Sequence, residues 1–259
     1  MTTSTDLALN ALYCAFDDLV SSIDGAWTSL SSSSSAFFLN LPIAMFNSVL
    51  VQSRDASDEE IAELHDRIKV MGLPYSLQTR PGLETRVSAL VAEEGLVRRP
   101  RDIPFMVADD DARMSVNSSP ALNIRVVPPD EVSVYIEALA AGFSMPIEIA
   151  EQLTSTKTIT LPGLRLYLGE TEGTPVATGL GITGHGAVGV FNISTIESQR
   201  GNGYGAAITA QCAIDGFTDG AQVAYLQSTE MGESVYERIG FTTTERWAIF
   251  ETPQPEMSK

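Results

Sequence analysis

The segment ISTIESQRGNGYGAAIT, residues 193–209, holds the pattern of residue types that most clearly indicates chemistry in this chain. A polar stretch is followed by a loop with three alternate glycines, which are Gly201, Gly203 and Gly205. Glycine lets a backbone approach an anion closely, and the first amides of a helix have no partner inside the helix and lie at its positive end. The glycines and the Ala206 amide therefore predict a phosphate-binding loop, to which Arg200 adds one cation.

Two other interpretations of this loop stay open from the residues alone. It can be a glycine-rich turn before a helix, or a dinucleotide-binding fingerprint, since Gly201, Gly203 and Ala206 fit the pattern G-x-G-x-x-A. That fingerprint follows its strand at once and needs an acidic residue after the next strand. Here residues 194–199 intervene, and the next strand, AQVAYLQST, ends without an acid. A nicotinamide-dependent oxidoreductase is therefore the weakest of the functions considered.

The charge of the chain limits what it can bind. Its 259 residues include 16 Lys and Arg against 33 Asp and Glu, which gives a net charge of −17. Such a surface repels polyanions, so we expect no nucleic-acid partner, while a cationic small molecule is favoured. A phosphate loop remains compatible with this charge, because each hydrogen bond between an amide and a phosphate contributes ~1.5–3 kcal/mol, against ~0.3–1 kcal/mol from the helix dipole.

The cysteines and histidines predict neither a disulfide framework nor a metal site. Cys14 and Cys212 are far apart, which is typical of a reducing compartment, and Cys212 is expected to be a small buried residue. His65 and His185 lack the spacing of metal ligands. The first residues do not resemble a secretory signal, and no apolar run of about 18 residues occurs, so we expect a cytoplasmic protein without a membrane partner. Either a monomer or a homodimer fits the sequence.

The glycine loop must be positioned by the elements on either side of it. A strand at 186–195 precedes it, and a helix at 204–217 follows it. The expected apolar stripe of that helix is Ala207, Ala210, Ile214 and Phe217. The other predicted elements of this half are a strand at 122–127, a helix with Asp130 as N-cap, a short helix at 145–153, strands at 164–170 and 174–183, a strand at 221–229, a helix at 234–241 and a last strand at 244–251. This mixture is typical of an α/β (α+β) fold.

The first half shows a similar alternation. The predicted elements are a helix in the first twenty residues, strands at 45–53, 74–79 and 102–109, and helices after Ser57 and over 83–95. Ser57 and Glu60 predict a capping box in which Glu60 reaches back to the helix start. The serine run 31–35 predicts an exposed loop or hinge. The acidic and then Ser/Asn-rich stretch 109–120 predicts a boundary between domains 1–118 and 119–259.

Two motifs in the second half resemble the GNAT superfamily, the GCN5-related N-acetyltransferases. The residues R-G-N-G-Y-G at 200–205 are similar to the family pattern R/Q-x-x-G-x-G/A, and STEMGESVYERIGF at 228–241 resembles its later motif, with Tyr236 four residues before Gly-Phe. The resemblance covers about residues 122–251. It implies a mixed, mostly antiparallel sheet flanked by helices, with splayed central strands, preceded by a degenerate GNAT-like αβ domain. That first domain lacks alternate glycines, so we expect no cofactor there.

The resemblance also implies an activity and a set of site residues. The protein would be an N-acetyltransferase that moves the acetyl group of acetyl-CoA to a primary amine by direct attack, without a metal. By motif position, the pantetheine arm would pair with Ile193, Ser194 and Thr195. The pyrophosphate would lie on Arg200, Gly201, Asn202, Gly203, Tyr204, Gly205 and Ala206. Tyr236 matches the general acid of the family, and a phenol is a reasonable proton donor to a thiolate.

The general base is not indicated by the family pattern. Many members have a Glu on the strand before the loop, whereas GAVGVFNIST has none, and Asn192 can only hold a water. His185, Glu230 and Glu197 are the side-chain options, and a water relay to backbone carbonyls is an equal one. Residues 143–145 correspond to a loop that helps to shape the acceptor pocket, and the acceptor amine remains unidentified. Because the strand carboxylate is missing, the alternative is a non-catalytic acyl-CoA-binding or sensing module of the same fold.

Overall fold

The computed structural model describes residues 3–110, 114 and 122–253. The chain divides into two compact units. The large unit comprises Met1–Ile23 and Phe105–Thr244, and the small unit comprises Asp24–Pro104 and Glu245–Lys259. The predicted boundary between residues 118 and 119 lies outside the described residues. The predicted domains place residues 1–23 in the first domain and residues 245–251 in the second. In the structure, residues 1–23 belong to the large unit and residues 245–251 to the small unit.

The described residues form helices and strands close to the predicted ones. The helices are α1 (Ser4–Ser21), α2 (Asp58–Lys69), α3 (Ser88–Glu94), α4 (Val132–Phe143), α5 (Ile147–Leu153), α6 (Tyr204–Thr218) and α7 (Glu230–Glu237). The strands are β1 (Trp27–Leu30), β2 (Ser34–Phe38), β3 (Asn47–Val51), β4 (Ser76–Thr79), β5 (Val97–Arg98), β6 (Ile103–Asp109), β7 (Asn123–Val126), β8 (Leu164–Thr171), β9 (Thr174–Gly184), β10 (Ala187–Thr195), β11 (Val223–Gln227) and β12 (Thr242–Glu251).

The sheet of the large unit has the order β6-β11-β10-β9-β8-β7. All neighbours are antiparallel except β10 and β11, which are parallel and are connected through α6. Helix α6 packs on one face of this sheet, where Cβ atoms at Gly179 and Gly216 would overlap Ile208 and Val188. The other face carries α4 and residues of α1, which share a second apolar core with β8 and β9. Two helical layers therefore fix β10 from both sides.

The parallel pair β10 and β11 separates after three residue pairs. Pairing runs only from Ala187–Val223 to Gly189–Tyr225, although β10 continues to Thr195. On its other edge, β10 stays paired with β9, with a bulge between Phe191 and Ser194. The backbone on the β11 side of residues 190–195 is thus left without a strand partner in the described sheet. This confirms the predicted splayed central strands.

The small unit repeats the same order of elements without that separation. Its sheet runs β1-β2-β3-β4-β12, with β5 also on β12, and only β3 and β4 are parallel. Helix α2 connects this parallel pair, as α6 does in the large unit. Here the pairing continues from Ser48–Ser76 to Val51–Thr79, and the Arg80 amide still donates to the Val51 carbonyl at 3.2 Å. No gap opens between the two strands.

The serine run 31–35 is not the exposed loop that the sequence predicts. Its second part begins strand β2, and both Ser34 and Ser35 are buried. Ser35 Oγ accepts a hydrogen bond from Gln52 Nε2 at 2.6 Å. Ser31 and Ser33 form the turn before β2, and their hydroxyls donate to the Glu60 carboxylate at 2.6 and 2.9 Å. Ser35 can be buried in β2, between β1 and β3, because the distant Gln52 side chain satisfies its hydroxyl.

Three smaller expectations are also wrong. Ser57 caps α2 by accepting from the Glu60 amide at 3.0 Å, but the Glu60 carboxylate bonds the serine turn instead of closing a capping box. Asp130 is not an N-cap, because a short 3-10 turn precedes α4 and moves the cap position to Glu131. Ile214 is 39% exposed, because the sheet-facing side of α6 is made of smaller residues. Those buried residues are Ala207, Ile208, Ala210, Cys212, Ala213 and Gly216.

Candidate active site

The glycine loop has the backbone geometry of an open helix start. Gly201 and Gly203 adopt φ values of 84° and 79°, which glycine tolerates and other residues rarely adopt. Gly203 is the N-cap of α6, and no side chain caps the helix there. The first hydrogen bond inside α6 comes from the Ala207 amide to the Gly203 carbonyl at 3.0 Å. The amides before Ala207 are therefore directed out of the positive end of the helix.

A cleft of about 680 Å³ opens beside this loop, entirely within the large unit. It is lined by Ile193, Ser194, Thr195, Gln199, Arg200, Gly201, Gly203, Tyr204, Gly205, Ala206, Thr229, Met231, Gly232, Val235, Tyr236, Arg238 and Ile239. Of the predicted cofactor residues, Asn202 is the one outside this set; it is exposed and donates to the Gln199 carbonyl at 3.0 Å. The structure thus brings the unpaired end of β10, the glycine loop and α7 to one cavity.

Tyr236 and Tyr204 are the two described tyrosines that line this cleft, and Tyr236 is the one that the second motif predicts as proton donor. Its ring packs edge-on against Phe241, with centroids 6.3 Å apart. Burial raises the pKa of Tyr236 to about 12, and a hydrogen bond with the Thr209 side chain acts in the opposite direction. The Thr209 hydroxyl itself donates to the Gly205 carbonyl at 2.8 Å, in the first turn of α6. At neutral pH the phenol therefore remains protonated and can act as a proton donor.

Arg200 lines the cleft, and its guanidinium also bonds two backbone carbonyls. Its Nε donates to the Thr195 carbonyl at 3.2 Å, and its Nη2 donates to the Gly142 carbonyl at 3.1 Å. The guanidinium is thus engaged with backbone at the ends of β10 and α4. Arg238, which follows Tyr236 by two residues, is an exposed cation that also lines the cleft. Sequence reasoning missed Arg238, although its place inside the second motif is a signal for it.

The structure does not bring the predicted bases into the cleft. His185 lies in the turn between β9 and β10, at the opposite end of β10 from Thr195 and the glycine loop. There it lines a separate pocket of about 130 Å³. Glu197 and Glu230 are exposed and lie next to cleft residues in the sequence. Among the described residues that line the cleft, none is a carboxylate or a histidine.

Two further candidates for chemistry are the thiol of Cys212 and a bound metal ion. Cys212 is buried on α6, as expected, and burial raises the pKa of its thiol well above the usual value. A thiol of this kind is a poor nucleophile. Within residues 3–110, 114 and 122–253, no group of three or more His, Cys, Asp or Glu side chains is arranged to hold a metal ion. None of the helices in this part of the chain is long and apolar enough to cross a membrane.

The corresponding corner of the small unit is closed to an anion. The start of α2 is capped by the Ser57 side chain, and its first turn carries Asp58, Glu59 and Glu60. Hydrogen bonds from the serine turn, that of Ser31 first, lower the pKa of the Glu60 carboxyl, which therefore stays charged at neutral pH. With β3 and β4 paired to their ends, the described residues at the start of α2 offer neither a gap between these strands nor an uncapped helix start.

No family model matches the chain, and no curated protein does. Solved structures match over most of its length. A GCN5-related N-acetyltransferase from Kribbella flavida has a TM-score of 0.69 at 16% identity, covering 96% of this chain and 97% of that one. One from Sphaerobacter thermophilus has a TM-score of 0.61 at 16% identity, covering 88% and 84%. A tandem GNAT protein from the clavulanic acid biosynthesis pathway has a TM-score of 0.56 at 12% identity, covering 90% and 86%.

This likeness establishes the fold. The chain has the fold of the GCN5-related N-acetyltransferases, so the predicted fold is confirmed. Since the first of these structures covers 96% of the chain, the likeness includes residues of both units and not the glycine loop alone.

Proposed function

We propose that the protein is an acetyl-CoA-dependent N-acetyltransferase whose reaction takes place in the cleft of the large unit. The observation that supports this most is the meeting of three features in one cavity: the unpaired end of β10, the uncapped start of α6 and the phenol of Tyr236. Each feature alone has a plain structural explanation. Together they match what a long, thin thioester with an anionic diphosphate needs, and the two solved structures of the same fold cited first above are named as acetyltransferases.

In this proposal the backbone does most of the binding. The free edge of Ile193, Ser194 and Thr195 pairs with the amides of the pantetheine arm, as an added strand would. The diphosphate lies against the glycine loop and the first amides of α6, where each hydrogen bond to a charged oxygen is worth ~1.5–3 kcal/mol. Arg238 supplies a cation at the same cleft. Binding therefore tolerates the net charge of −17.

Tyr236 acts as the general acid. A neutral amine attacks the thioester carbonyl, a carbon–nitrogen bond forms, and the carbon–sulfur bond breaks with the electron pair leaving on sulfur. Tyr236 donates its proton to that thiolate. The amine proton passes through water to the solvent, and the Tyr236 phenolate takes up a proton from water afterwards. Backbone carbonyls only orient these waters, and no described side chain that lines the cleft is a carboxylate or histidine. Of the earlier candidates, Glu230 stays the nearest in sequence, between the cleft residues Thr229 and Met231.

The alternative is a non-catalytic acyl-CoA-binding module. One observation favours it, namely that the described cleft residues include no side-chain base. Acetyl-CoA binding without thiol release across a broad panel of primary amines would support this alternative. Thiol release with any amine of the panel would support the enzyme.

A matched pair of glycine variants tests the binding site. Gly201 and Gly173 have φ values of 84° and 76°, and an added Cβ meets nothing within 4 Å at either position. Gly201→Ala and Gly173→Ala should therefore lose similar stability, about 1–2 kcal/mol, from the left-handed backbone. By calorimetry, Gly201→Ala should bind acetyl-CoA at least tenfold more weakly than the wild type, while Gly173→Ala, in the β8–β9 turn, should bind like it. Equal affinities for both variants, or NAD binding without acetyl-CoA binding, would contradict the proposal.

A further inference from the structure

The Arg200 side chain bridges two segments that are far apart in the sequence. Its Nε donates to the Thr195 carbonyl at the end of β10, and its Nη2 donates to the Gly142 carbonyl in the last turn of α4. The last carbonyls of a helix have no partner inside the helix. In α4, the Ala140 and Ala141 carbonyls accept from the Met145 and Ser144 amides at 3.0 and 3.3 Å. Arg200 supplies the donor for the next carbonyl along the helix, that of Gly142.

The end of α4 also rests directly on the splayed part of β10. A Cβ at Gly142 would overlap the Ser194 side chain, so glycine permits the contact. Ser194 is buried, and its hydroxyl bonds the Thr178 hydroxyl at 2.7 Å on the neighbouring strand β9. The end of α4 therefore packs on side chains of β9 and β10 that are bonded to each other, and Arg200 contacts the same end of α4 from the glycine loop.

The segment after this junction faces solvent with apolar side chains. Ser144 ends α4 at a φ of 54°, and Phe143 and Ile147 on either side are 45% and 39% exposed. A cation at a helix C-terminus is favourable, and a planar guanidinium can hold two carbonyls at a fixed angle. The Arg200 side chain, which belongs to the glycine loop, therefore helps to fix the position of residues 143–147 relative to the cleft.

We infer that Arg200 is a positioning residue that ties the glycine loop to the end of α4, and that it is not a ligand of the diphosphate. This inference rests on the proposed function for its role in the reaction, because the tie fixes the loop after α4 with respect to the strand that carries the thioester. The tie itself is a property of the protein without any ligand. The two statements can therefore be tested separately.

The test uses hydrogen–deuterium exchange of the ligand-free protein. Arg200→Met keeps the aliphatic stem and removes every donor, so exchange at the Ser144 and Met145 amides should become at least fivefold faster, with Tm within about 2 °C of the wild type. Arg200→Lys should restore part of the protection, because an ammonium can still donate to one carbonyl. Arg238→Met is the matched control, since Arg238 lines the same cleft without a bond to α4, and it should leave these amides unchanged.

Acetyl-CoA binding and turnover complete the test. For Arg200→Met we expect less than a threefold change in acetyl-CoA Kd, with unchanged salt dependence, and at least a fivefold fall in kcat with the best amine of the panel. Unchanged exchange in Arg200→Met, or a large and salt-dependent loss of acetyl-CoA affinity, would overturn the inference. If the wild type binds no acetyl-CoA, the proposed function fails, while the exchange data still decide whether the tie exists.

Discussion

Replacing Tyr236 by phenylalanine removes the proposed proton donor while keeping the ring. The ring contact with Phe241 remains, and the Thr209 hydroxyl keeps its acceptor, the Gly205 carbonyl at 2.8 Å. Stability and acetyl-CoA affinity should therefore change little. A positioned general acid is worth ~10²–10⁴ in rate. Because burial raises the pKa of Tyr236 to about 12, far above that of a thiol near ~8.5, proton transfer is less favourable and the effect belongs at the lower end of that range.

We thus expect kcat of Tyr236→Phe to fall about 10²-fold, which corresponds to ~2.7 kcal/mol of transition-state stabilisation. The assay is thiol release from acetyl-CoA with a saturating amine, with calorimetric Kd measured alongside. Tyr167→Phe is the control, because Tyr167 also has a phenol of raised pKa but donates to Asp215 at 2.9 Å, outside the cleft. It should lose stability and keep its turnover. Unchanged kcat in Tyr236→Phe would remove the phenol from the mechanism.

Two further predictions concern pH and stoichiometry. The pKa of Tyr236 is raised from 10 to about 12 in the folded protein. Its contribution to the free energy of unfolding is therefore fully present below pH 10. This contribution falls by ~1.4 kcal/mol for each pH unit as the pH rises from 10 towards 12. Urea unfolding of Tyr236→Phe should show a shallower alkaline decline than the wild type, and an equal slope would contradict this. Because the start of α2 is capped and acidic, calorimetry should give one acetyl-CoA per chain, and a second bound acetyl-CoA per chain would disprove the closed corner.

The glycine loop and its helix were predictable because their signals are local. Alternate glycines, a polar run before them and an apolar helix after them lie within about fifteen consecutive residues. The left-handed φ values of Gly201 and Gly203 follow from residue type alone. The second motif, through its spacing from the first, predicted that Tyr236 belongs to the same site as the glycine loop, and Tyr236 lines that cleft. The splay of β10 from β11 came from the family resemblance and not from the residues of either strand.

What the sequence missed depends on partners that are distant along the chain. Ser35 is buried with its hydroxyl bonded by Gln52, and the turn serines Ser31 and Ser33 bond Glu60, and neither partner is a neighbour in the sequence. Arg200 bonds a carbonyl 58 residues earlier, so its neighbours in the loop could not indicate that contact. His185 lies just before β10, which leads to the glycine loop, but it is at the opposite end of that strand from the loop. The two-residue strand β5 is too short to leave any periodicity.

The division of the chain has a consequence for its synthesis. Helix α1 is made early but packs on β10 and β11, which follow it by more than 160 residues. The small unit, in turn, waits for residues 248–251 to pair with β4. Neither unit can finish folding until these later strands have left the ribosome, and long-range pairings of this kind form slowly. During translation, the apolar face of α1 and the edge of β4 stay uncovered, and a fragment cut at residue 118 would keep them so.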